Sequence, residues 1–198
     1  ILMNLRLPVY LQPLRFLRRG FLLFALLTPA AVAEQYLSVD QFLAQVFGNE
    51  VPKQQKMWVS EEQRKVSTDS IGLGRPPIRV RYWQDGQRSA WILKEIGKEK
   101  PITIGVGIRD GVVETVRILA FLESRGWEVK YPSFTEQFTG ARVNESQKLD
   151  RGIDGLTGAT LSVNAVQKVV RWAAYLDRDL QSTATADAGR SVDASPGI

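Results

Sequence analysis

Apolar residues recur at helical spacing in some stretches of the chain and alternate with polar ones in others. Ser38-Val39-Asp40-Gln41 has the form of a capping box, in which serine and glutamine satisfy each other's backbone N–H groups. Phe42, Leu43, Val46 and Phe47 then share one helical face, and Pro52 ends the segment. Met57-Trp58-Val59 is a short strand candidate. A second capping box, Ser60-Glu61-Glu62-Gln63, opens a helix expected to stop near Gly72, and Gly72-Leu73-Gly74-Arg75-Pro76-Pro77 is a rigid connection. From Ile78 to Trp83, Ile78, Val80 and Tyr82 alternate with Arg79, Arg81 and Trp83, and Asp85-Gly86 turns this strand back into Ala90–Leu93. After a charged link, Gly97 to Pro101, the β-rich run Ile102–Ile108 turns at Asp110-Gly111 into Val112–Phe121. The pattern predicts an α+β fold: one antiparallel sheet built from two hairpins, flanked by helices. Pro132 to Phe138 reads as a short helix with proline in its first turn. Val163, Val166, Val169, Val170, Ala173, Ala174 and Leu176 form the core face of a last helix. Beyond Gln181 the chain has little apolar content and is expected to be a disordered tail.

Composition narrows the chemistry. The 198 residues suffice for one domain with a real core, and they include no Cys and no His. That removes disulfides, thiolate clusters, haem held by histidine, the usual zinc sites and a Ser-His-Asp triad, so no metal site is expected and redox chemistry would need an organic cofactor. Arg15, Arg18 and Arg19 precede the apolar run Phe21–Leu27, and Ala31-Val32-Ala33 supplies small residues for cleavage. Residues 1–33 are therefore expected to be a signal peptide, with the mature chain starting at Glu34 in the periplasm or another extracytoplasmic space. An uncleaved anchor is the alternative, although the run falls short of the roughly 20 residues of a comfortable span. The formal charge is +5; residues 1–33 hold four arginines and no acid, leaving +1 on the remainder. Nucleic-acid binding loses its main support with that leader.

The stretch with most chemistry is Asp154-Gly155-Leu156-Thr157-Gly158-Ala159-Thr160-Leu161-Ser162, ahead of the last helical pattern. Glycines and small residues let backbone approach a ligand closely, and a helix start offers free N–H groups and a positive dipole end to a phosphate. Thr160 sits where that phosphate would sit; the plainer reading is a turn before a helix capped by Ser162. This loop resembles the flavinylation motif of the FMN-binding domain family, which includes the flavin subunits of sodium-pumping NADH:quinone reductases and of Rnf complexes. The family pattern is Asp-Gly-x-(Ser/Thr)-Gly-Ala-(Thr/Ser)-x-(Thr/Ser). Asp154, Gly155, Thr157, Gly158, Ala159, Thr160 and Ser162 match it.

The resemblance implies FMN held covalently by a phosphoester to Thr160, installed from FAD by a separate Mg-dependent flavin transferase that releases AMP. It implies that Thr157, Gly158 and Ala159 line the phosphate and ribityl chain, and that Gly155, Leu156, Leu161 and Ser162 belong to the same cofactor loop. Asp154 is either read by the transferase or closes the loop through an Asx bond. Leu161 packs on the ring system or fills core. Glu123 and Ser124 match the family's Glu-Thr loop beside the isoalloxazine, with Ser in place of Thr, and Gly126 matches a glycine that lets backbone pass the ring; a surface turn is the plain alternative. Trp127, Tyr82 and Trp83 are candidates to stack on the ring, or to pair within strands. Gly105-Val106-Gly107 with Gly111 lacks the spacing and the following helix of a dinucleotide loop. Asn144-Glu145-Ser146 is a glycosylation sequon only in a eukaryotic secretory host.

The resemblance runs from about Gly97 to Asp177. The expected organisation is a leader at 1–33, an N-terminal helical and hairpin segment at 34–96 packed on the core, an FMN-binding domain at 97–180, and a tail at 181–198. The expected function is extracytoplasmic electron transfer between membrane or periplasmic redox proteins, more a carrier than a stand-alone enzyme. A flavin-dependent reductase with its own small substrate is the second reading, with Glu123 or Arg125 as the only obvious acid–base material. A binding module without flavin is the third.

Overall fold

The computed structural model describes residues 34–192, with backbone alone for residues 34, 35 and 184–192. The leader expected at residues 1–33 and the tail residues 193–198 lie outside the described residues. The elements are β1 (Glu34–Gln35), α1 (Val39–Phe47), β2 (Gln55–Trp58), α2 (Glu61–Val66), β3 (Arg79–Asp85), β4 (Arg88–Ile96), β5 (Pro101–Arg109), β6 (Val112–Phe121), α3 (Pro132–Thr135) and α4 (Thr160–Val192). A wide π turn, Ser67–Ile71, extends α2 to Gly72, and short 3₁₀ turns at 127–130 and 136–138 flank α3.

Both capping boxes form: Ser38 Oγ and Ser60 Oγ accept from Gln41 N–H and Gln63 N–H at 3.1 Å, and the glutamine side chains return the bond. The two hairpins stand side by side, β4 pairing with β5 from Arg88 against Arg109 to Ile96 against Pro101. The sheet has six antiparallel strands in the order β1-β6-β5-β4-β3-β2. The predicted four-strand sheet is its centre. The edge strands β1 and β2 add to it; β1 is two polar residues long, with no periodicity for a sequence to display.

Strand alternation divides the core in two. Trp91 and Leu93 of β4 join the larger cluster, under α4, with Ile102, Ile104, Val106, Phe134, Phe138, Val166, Val170, Trp172 and Leu176. Ala90 and Ile92 face the other way, with Trp83, under Phe42, Leu43 and Val46 of α1. Each such fully buried large side chain contributes about 1.5–3 kcal/mol of hydrophobic stabilisation. Gly105 and Gly107 lie beneath α1, where an added Cβ would come within 2.8 Å of the Phe42 ring and 2.9 Å of Val46. These glycines serve helix-on-sheet packing.

The predicted core face of the last helix is buried at every named position. The end expected at Leu180 is not a helix end: α4 continues to Val192. Ala184, Ala186 and Ala188 favour helix, no proline intervenes before Pro196, and extending an existing helix needs no new nucleus. Within the larger core, Asp177 is fully buried; Ser89 Oγ donates to its Oδ1 at 2.5 Å and Trp91 Nε1 donates to Ser89 Oγ at 2.8 Å. No helix of the described residues is long and apolar enough to cross a membrane.

Candidate functional site

After β6 the chain turns through Leu122–Gly126. Glu123 Oε1 accepts backbone N–H bonds from Lys98 at 2.5 Å, Glu99 at 2.6 Å and Lys100 at 2.8 Å. Three successive amides form a small anion nest, so this carboxylate fastens the β4–β5 turn to the end of β6. Gly126 is buried with φ +82°, and an added Cβ would lie 2.5 Å from Ser162 Oγ and 3.5 Å from Ala159 Cβ. The left-handed backbone and the serine hydroxyl both disfavour a side chain at that position, which glycine relieves. The Glu123–Gly126 loop and the start of α4, 36 residues apart at Gly126 and Ser162, are therefore in direct contact.

The approach to α4 is pinned on one side and open on the other. Asp154 N–H donates to Gln137 Oε1 at 2.7 Å. Arg151 donates to the carbonyls of Thr139 at 3.0 Å and Gly140 at 2.8 Å, and to Asp150 Oδ1 at 3.3 Å. The Arg142 backbone N–H on Asp150, aided by Arg151, holds the Asp150 carboxyl below its ordinary range. Leu156 packs half-buried on the main core, and Ala159 N–H returns to its carbonyl at 3.0 Å. Gly158 takes φ +82° at the third position of that turn, the left-handed geometry glycine supplies.

Around Gly155 and Gly158 nothing lies within 4 Å of where a Cβ would stand. The first helical bond runs from Val163 N–H to Ala159 O at 2.9 Å, so the N–H groups of Thr160, Leu161 and Ser162 have no partner within α4. A free helix start beside two open glycines fits a phosphate group and its ester chain.

Thr160 is the first residue of α4 and is exposed, as are Asp154, Gly155, Thr157 and Gly158, whereas Ala159 and Ser162 are buried. Ser162 stands inside the helix against Gly126, so it is not the N-cap. Leu161 is 51% exposed and does not fill core. Trp127 follows Gly126, is 42% exposed, and meets Tyr131 edge-on at 5.5 Å. Lys130 Nζ lies 4.2 Å from the Tyr36 ring centroid and 5.2 Å from that of Trp127. Tyr82 and Trp83 are not available to a cofactor here: Tyr82 stacks on Trp91 at 5.0 Å in the larger core, and Trp83 is buried under α1. Their strand positions commit one to each face. Gln137 and Arg151 were not apparent from sequence, because each holds a backbone group brought near only by the fold.

Residues 97–174 match the family model described as FMN-binding domain. The matched span contains the Glu123–Gly126 loop, the pinned approach and the whole Asp154–Ser162 motif. No curated protein matches the chain. The matched span is not self-contained, since β4, outside it, pairs with β5 along its whole length and puts Trp91 into the core beneath α4.

Proposed function

We propose that Thr160 carries FMN through a phosphoester and that the protein moves electrons outside the cytoplasm, between membrane or periplasmic redox proteins. The observation that carries this reading is the exposed Thr160 hydroxyl at the open start of α4, beside Gly155 and Gly158 and the free N–H groups of residues 160–162. Thr157 is exposed but lies within the turn that precedes the helix, and Ser162 is buried against Gly126, so Thr160, the first residue of α4, is the best-placed hydroxyl of the three.

In this reading Thr160 Oγ1 forms the bond to phosphorus as AMP leaves FAD, and its proton passes to a base on a separate flavin transferase. A threonine hydroxyl is a weak nucleophile without such a base, and this chain has no histidine to supply one. The helix N-terminus then stabilises the phosphodiester charge. Gly158 gives the loop its left-handed turn, and Gly126 brings the Glu123 loop against Ala159 and Ser162. Trp127 and Leu161 offer exposed apolar surface beside the motif for a flat ring. When bound, a flavin accepts electrons in pairs and releases them singly.

A reductase with its own small substrate has less support. Its main acid–base candidate, Glu123, already gives one carboxylate oxygen to three amides. The test is to export the protein from cells that also make a flavin transferase, purify it and precipitate it with acid. Yellow colour that stays with the pellet, together with no turnover of soluble acceptors by the protein alone, is expected. Colour that washes out would overturn covalent attachment, and turnover would favour the reductase.

A further inference from the structure

α1 covers only part of its face of the sheet. Phe42 and Val46 lie over Gly105 and Gly107, while among the described residues no other element covers the part of the face running across β2, β3 and the end of β4. The strand register places Trp58 opposite Arg79, Lys56 opposite Arg81, and Arg81 opposite Ile92. Directly opposed residues project to the same side of a sheet, and Lys94 and Ile96 follow Ile92 at the two-residue period. This side therefore presents Lys56, Arg79, Arg81 and Lys94, all exposed, with Trp58 at 70% and Ile96 at 47% exposure at its margins. A shallow groove of about 240 Å³ runs along it, and Arg75 joins Arg79, Arg81 and Lys94 in its wall; no acidic residue lines it.

Among the described residues none of these five cations takes part in an ion pair. The Arg79 guanidinium lies 5.4 Å from the Trp58 ring centroid instead. Like charges packed on neighbouring strands repel, so the array calls for counter-charge from outside the chain. We propose that this face docks on an anionic phospholipid surface. A second copy of the chain would set the same cations against each other. A protein partner would be met by an apolar centre with a charged rim, whereas here the cations fill the middle and the apolar side chains stand at the edges. A plane of mobile headgroup phosphates neutralises a flat cationic array, and tryptophan is the residue that settles at headgroup level.

The experiment is co-sedimentation of the full chain with vesicles of phosphatidylglycerol and phosphatidylcholine in equal parts, and with phosphatidylcholine alone. Arg6, Arg15, Arg18 and Arg19 of the leader stay in every variant, so differences between variants report on the sheet face. Arg79→Gln/Arg81→Gln should weaken partitioning into the anionic vesicles roughly tenfold or more, and Trp58→Ala several-fold. If the arginine pair proves needed for folding, Lys56→Gln/Lys94→Gln should show the same loss. Equal partitioning by wild type and folded variants overturns the proposal. So does face-dependent retention on heparin, single-stranded DNA or an acidic protein without face-dependent vesicle binding.

Discussion

Gly126 is the residue whose replacement says most about how the proposed flavin site is assembled. Its φ of +82° disfavours any side chain, and the space where a Cβ would go is filled by Ser162. Gly126→Ala should cost about 1–3 kcal/mol and lower flavin content, read by thermal unfolding and the ratio of flavin to protein absorbance. Unchanged stability and flavin content would mean that the two loops do not depend on each other. Glu123 gives a contrasting case. Removing its carboxylate leaves three amides of the β4–β5 turn without their acceptor, so Glu123→Ala should cost about 1–2 kcal/mol, while Glu123→Gln keeps one acceptor oxygen and most of the stability. Equal loss in both variants would point to the charge rather than the bonds. At this scale the motif was legible because its chemistry lies in consecutive residues. The nest at residues 98–100 was not, because its carboxylate arrives from the far end of another strand.

Among the elements, α4 has two jobs: its start presents Thr160 and its middle carries Asp177 into the core. Burial disfavours the ionised form of Asp177 and raises its pKa, opposed in part by bonds from Ser89, Gln181 and Trp91. A raised folded-state pKa means the folded protein holds this proton more tightly than the unfolded chain. The resulting stability is fully present below the unfolded pKa of about 3.9 and is lost as pH rises through the folded value. Asp177→Asn keeps an oxygen for Ser89 and removes the titration. Between pH 4 and pH 8 its melting temperature, measured against wild type, should gain progressively; parallel curves for the two proteins would show that Asp177 does not titrate as argued. The capping boxes and the Asp-Gly turns made α1, α2 and both hairpins readable, since each is a local signal with a local cause. The pairing of β2 with β3 and the seating of α1 on Gly105 had no local cause, and only the fold displays them.

For the whole molecule, the segment at residues 34–96, expected to pack on the core as helices and a hairpin, supplies four of the six strands of the sheet. β2, β3 and β4 stand on one side of β5, and Arg171 of α4 donates to the carbonyl of Ser70 at 2.7 Å, which ties the π turn to the matched span. A fragment containing residues 97–198 alone would expose the edge of β5 and the core left by Trp91 and Leu93, a setting for aggregation. It should be insoluble or unfolded by circular dichroism, and a cooperatively melting fragment would show that the matched span folds without its neighbours. The family match covers the Asp154–Ser162 motif and its supports; the strands that complete the sheet carry no motif, because any well-packed alternating strand can perform that task.

The central claim is that Thr160 is the attachment point, and the most direct test is mass spectrometry of the peptide containing residues 154–162. The protein should be made with a flavin transferase and exported, as wild type, Thr160→Ala and Thr160→Ser. Thr160 is exposed, so the alanine variant should lose no more than about 0.5 kcal/mol of stability and still fold. The account predicts an adduct of FMN less one water on the wild-type peptide, some adduct on the serine variant, and none on the alanine variant. An adduct that survives Thr160→Ala, or that maps to Thr157 or Ser162, would contradict it.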